Sequence, residues 1–146
     1  MRALAAIVFL IPAIAQATDP LMTELQRPGR TWSQQELALM LFQTCRASDA
    51  QAPKEIIGAW AKLLKVDLPL KSDGTLDAKL QVREVALTCI EELSGENFYP
   101  LKGSEAPMRQ ILSTTKNGAV ERFHIAEIVP KDLPALQQAI HAWLKK

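Results

Sequence analysis

A chain of 146 residues with 17 basic and 16 acidic side chains and 48% hydrophobic residues suits one domain built around one core. The near balance of charge, spread without blocks, gives no electrostatic reason to bind nucleic acid or an anionic membrane surface, and the apolar content excludes a disordered body. No apolar run reaches the roughly 20 residues of a membrane-spanning helix, so a membrane-embedded protein is not expected.

At the start, Arg2 precedes an apolar run from Ala3 to Ile11, and Ala15, Gln16 and Ala17 supply the small residues of a cleavage site. This is the layout of a secretory signal peptide. Residues 1–17 are therefore expected to be removed, leaving a protein of the periplasm or extracellular space. No cysteine follows the cleavage motif, so no lipid anchor is expected, and loss of Arg2 balances the basic and acidic residues. Residues 18–32 contain Pro20, Pro28 and Gly29 without a sustained period and read as an irregular lead-in to a single domain over residues 33–146.

Ser33 and Glu36 have the spacing of a capping box, which predicts a first helix from Gln34 to Ala47. Its LALMLF centre is apolar almost all round, as in a helix covered on most sides. A second helix is predicted from Pro53, with Ile57, Trp60 and Leu64 on one stripe. The connector KVDLPLKSDGTLD turns at Pro69 and at Asp73 and Gly74. From Asp77 a third helix runs to Ser94 and stops at Gly95, with the stripe Val82, Ala86, Cys89 and Leu93.

The segment ENFYPLKGSEAP reads as a long loop. In residues 108–129 two readings compete: Asn117 and Gly118 fit a hairpin turn, whereas Met108, Ile111, Leu112 and Thr115 fit a helical period. The β-formers of VERFHIAEIV favour the hairpin. Asp132 is positioned to cap a last helix with Leu133, Leu136, Ile140 and Trp143 on its apolar face. The expected fold class is mainly α, a compact bundle of about four helices with a small hairpin before the last.

Secretion gives the two cysteines a meaning. Cys45 and Cys89 each lie on an apolar helical stripe, and an even count in an oxidising compartment predicts a disulfide between them. Closing a loop of this size stabilises the fold by about 4 kcal/mol in the chain-entropy model. A redox site would need a Cys-x-x-Cys pair or an adjacent base, and a zinc site four grouped ligands; neither is present in the sequence.

His124 and His141 belong to different elements with no ligand spacing, so no metal and no cofactor are expected. Glu91 and Glu92, about 100° apart on a helix, cannot act as a paired acid and base and read as a solvated edge. Gly74 as the sixth residue of a calcium loop would put Pro69 first and Leu80 in the place of the bidentate glutamate, so that match is discarded. No motif of nucleophilic, phosphate-binding or metalloprotease chemistry occurs, and an enzyme is not expected.

Function is then sought on the surface. Phe98 and Tyr99, in a turn-rich stretch, are candidate anchors at a protein interface, with folding back over the helical core as the alternative. Trp32 reads as a staple on the first helix. In small size, signal peptide, single disulfide and lack of a catalytic motif, the chain resembles the general make-up of periplasmic immunity proteins, including helical ones that neutralise cell-wall amidases delivered by type VI secretion. The resemblance implies a protein partner, a toxin or envelope lytic enzyme, and carries over no site residue. Two other expectations are a periplasmic stress chaperone whose helices loosen when its carboxylates are protonated, and a carrier of a small apolar ligand among the helices.

Overall fold

The computed structural model describes residues 20–46, 54–77, 79–103, 105–114, 117, 118 and 120–146. The expected signal peptide, Ala47 and Pro53 lie outside them. The lead-in is not wholly irregular. Pro20–Leu25 forms a short helix, α1, and Thr31–Trp32 a short strand, β1. Proline suits a first helical turn, and Leu21 and Leu25, four apart, are both buried. One turn and a half is too short for a period to show in sequence.

The capping box is formed: the Ser33 hydroxyl accepts from Glu36 N–H at 3.0 Å, and the Glu36 carboxylate accepts from Ser33 N–H at 3.1 Å. Helix α2 runs over Gln34–Leu41 and widens into a π-turn, Phe42–Arg46. Leu37, Ala38 and Leu41 are buried, while Leu39 faces outward, so the helix is covered on fewer sides than its sequence implies. Trp32 shares the same core.

Helix α3, Lys54–Lys62, continues as a 3₁₀ turn, Leu63–Lys65. Strand β2, Lys71–Ser72, pairs parallel with β1. Helix α4, Val82–Ser94, begins five residues later than Asp77, the predicted start. The reason is backbone pairing: Leu70 N–H donates to Leu80 O, and Val82 N–H to Leu68 O, which commits Leu80 and Gln81 to an extended ladder. The helix ends as predicted at Gly95, whose φ of 73° is costly for a residue with a Cβ. From Glu84 to Ile90 every residue of α4 is buried, making it the central element.

Strands β3, Met108–Thr114, and β4, Val120–Ala126, pair antiparallel, so residues 108–126 are the hairpin. Gly118 in its turn has φ 78°. After a 3₁₀ turn, Pro130–Asp132, helix α5 covers Leu133–Leu144. Among the described residues there are five α-helices and two two-stranded sheets. The fold is mainly α, and α2 and α4 pack on the hairpin while α3 packs on α4 and α5, which differs from a plain four-helix bundle. Cys45 and Cys89 are joined by a disulfide that ties the π-turn to α4.

Candidate protein interface

The hairpin is hung from α4 by carboxylates. Glu84 and Glu91, seven residues apart and so on one face of the helix, each accept backbone N–H groups from a segment flanking the hairpin. Glu91 takes Phe98 N–H at 2.7 Å and Tyr99 N–H at 3.2 Å, before it. Glu84 takes Ile128 N–H at 2.8 Å, after it, and Gln81 N–H at 2.9 Å. Burial raises the pKa of both carboxyls, and the N–H donors offset part of that. The Tyr99 hydroxyl closes the frame, donating to Asp132 at 2.9 Å and accepting from Val129 N–H at 3.1 Å. Burial, with the Asp132 charge beside it, raises the Tyr99 pKa.

Strand alternation then divides the hairpin into two faces. Ile111, Phe123 and Ile125 point into the core. Arg109, on the same face, donates to Glu127 at 2.6 Å and pairs with Asp77. The opposite face presents Met108, Leu112 and Val120, which are 53%, 39% and 53% exposed. Gln110, Arg122 and His124 are exposed between them, with Gln110 and His124 in contact across the strands at 3.3 Å.

Both edges of this two-stranded sheet are partly closed. Arg46 donates to Arg122 O at 3.2 Å on β4, bonds Glu121 and Glu92, and stacks 4.3 Å from the centre of the Phe123 ring. With its amide turned to satisfy both neighbours, Gln34 accepts from Leu112 N–H on β3 and donates to Thr75 O. Occupied edges oppose strand-to-strand pairing. The face, rather than the edge, is what the hairpin leaves open.

The residues singled out in sequence fall in different places. Cys45 and Cys89 meet as a disulfide. Tyr99 is 5% exposed with its hydroxyl engaged inside the protein, and Phe98 is half-buried, edge-on to Trp143 at 6.2 Å. Surface contact from that pair would have to come from Phe98 alone. Glu92 is exposed, but Glu91 is no solvated edge; its carboxylate holds the following loop. Asp132 does not cap α5 with its side chain, because Tyr99 has it. Asp73 folds its carboxylate onto Thr75, and no group of residues suited to a metal occurs among the described ones. Met108, Leu112 and Val120 were missed as surface residues because the first two also fit a helical period and the third counted only as a β-former; the alternation across Asn117 and Gly118 was the signal that could have separated the faces. No protein-family model, curated protein or solved structure matches the chain.

Proposed function

We propose that this is a non-catalytic protein-binding protein of the cell envelope, an immunity or inhibitor protein that neutralises a toxin or lytic enzyme, and that the outer face of the hairpin is its contact surface. The observation that carries the reading is the gathering of Met108, Leu112 and Val120 on one face. Singly exposed apolar residues need no explanation, but here Leu112 and Val120 are diagonal neighbours across the strands, on a face that also carries Met108 at its far end. Gln110, Arg122 and His124 are interleaved with them, so the face mixes apolar and polar groups as protein interfaces do. Because the hairpin is anchored before and after by Glu91 and Glu84, little ordering is left for binding to do. The Cys45–Cys89 disulfide fits an oxidising compartment.

The reading of an acid-loosened chaperone is less favoured. Protonating Glu84 and Glu91 relieves a burial penalty instead of creating one. The test is capture of a toxin or lytic enzyme on the immobilised mature protein from envelope extracts of its own and rival strains, followed by titration of the purified protein into whatever enzyme is captured; capture of none contradicts the proposal. Loss of lytic activity at stoichiometric amounts, with co-elution of the two, is expected; undiminished activity and separate elution contradict the proposal.

A further inference from the structure

A second surface, remote in sequence from the hairpin, lies between α3 and α5. Lys54 Nζ sits 5.4 Å from the centre of the Trp143 ring, so the start of α3 lies beside the end of α5. The groove between them encloses about 690 Å³, within the span of about 300 to 1,000 Å³ usual for small-molecule sites. Its floor is apolar: Gly58, Ala61 and Leu144 are partly exposed over the buried Leu64 and Ile140. Lys62 and Lys65 line one end with Gln137, and Glu55 lines the other with Leu144.

Gly58 is the unusual member of this floor. It stands inside α3 with an ordinary helical backbone, and a Cβ built there meets nothing within 4 Å. Neither conformation nor packing within the chain calls for glycine, which weakens a helix relative to alanine. What its missing side chain does provide is close approach for an occupant. Lys62 and Lys65 are exposed at the groove and, like the other described lysines, pair with no carboxylate among the described residues, so their charges are free to meet an anionic group.

We infer that the groove between α3 and α5 binds a free single-chain anionic amphiphile of the fatty-acid class, its head group at Lys62 and Lys65 and its tail over Gly58 and Ala61 toward Leu144. From Lys65 to Gly58 the helix spans about 10 Å, which suits an acyl chain of medium length. A bilayer surface is a poorer match, because electrostatic attachment to anionic lipid takes a larger cluster of basic residues than two lysines. This inference stands apart from the hairpin reading, and either can fail alone.

The experiment is calorimetric titration of the whole protein with dodecanoate below its micelle concentration, with dodecanol and dodecyltrimethylammonium as neutral and cationic controls. One-to-one saturable binding of dodecanoate is expected, with the cationic analogue weaker by about tenfold or more. Gly58→Leu fills the floor and should abolish binding of dodecanoate and dodecanol while keeping or raising the thermal midpoint. The double variant Lys62→Glu, Lys65→Glu should weaken dodecanoate by about tenfold and leave dodecanol unchanged. The inference is overturned by absence of saturation, by equal binding of the cationic analogue, by full binding in Gly58→Leu, or by attachment to anionic vesicles without binding of the free acid. Self-association of the wild type that Gly58→Leu removes and dodecanoate does not affect would equally overturn it, in favour of a second copy in the groove.

Discussion

Glu84 holds the chain leaving the hairpin with a carboxyl group that burial makes reluctant to ionise. Its native pKa is raised, so the folded state takes up the proton more readily than the unfolded one. The stability it contributes is greatest below the ordinary carboxylate range and is lost as pH rises through the native value. Glu91 behaves alike. The thermal midpoint is therefore expected to rise as pH falls from 7 toward about 5, and to rise less in Glu84→Gln; differential scanning calorimetry across that range, with equal slopes in both proteins, would contradict this. Below about pH 4 the trend reverses. Glu36, held low by the Ser33 N–H, and Asp73, held low by the Thr75 hydroxyl, then lose their charge and the stability that went with it. Such residue-scale roles were hardly legible in sequence. The 100° offset of Glu91 from Glu92 was readable, but not which of them turned inward, because its donors come from a loop that no local rule places. Asp132 shows the same limit: its spacing fits a cap, and a tyrosine 33 residues earlier takes its side chain instead.

Elements were more legible than residues, wherever one local device decided the outcome. Ser33 and Glu36 announced α2, Gly95 ended α4, and Asn117 with Gly118 turned the hairpin. The cysteines worked across elements, since each lay on an apolar stripe and the two stripes had to meet. Where pairing came from distant backbone, the sequence misled: Leu80 and Gln81 continue a helical pattern, yet the ladder to Leu68 and Leu70 claims them. The disulfide spans 44 residues, and a loop of that size stabilises by about 4 kcal/mol in the chain-entropy model. Reduction should lower the thermal midpoint by on the order of 10 °C for a domain of this length. Scanning calorimetry with and without a reductant checks it, and an unchanged midpoint would show that the π-turn and α4 hold together without the bond.

At the scale of the molecule, α4 is the spine on which two surfaces of different chemistry are arranged. The hairpin, fixed by Glu84 and Glu91, turns outward a face on which exposed apolar and polar side chains alternate. The groove of α3 and α5 joins an apolar floor to two unpaired lysines. Neither surface was legible in sequence, since apolar residues at helical or strand spacing read as core until the packing partners are known. Among the described residues no helix is long and apolar enough to cross a membrane. The most direct measurement places a photo-reactive amino acid at Leu112 or at Leu68, which are 39% and 43% exposed, in the native cell envelope. An interface on the hairpin predicts one protein adduct from position 112 and none from position 68. Equal labelling from both positions, or none from 112, would contradict it.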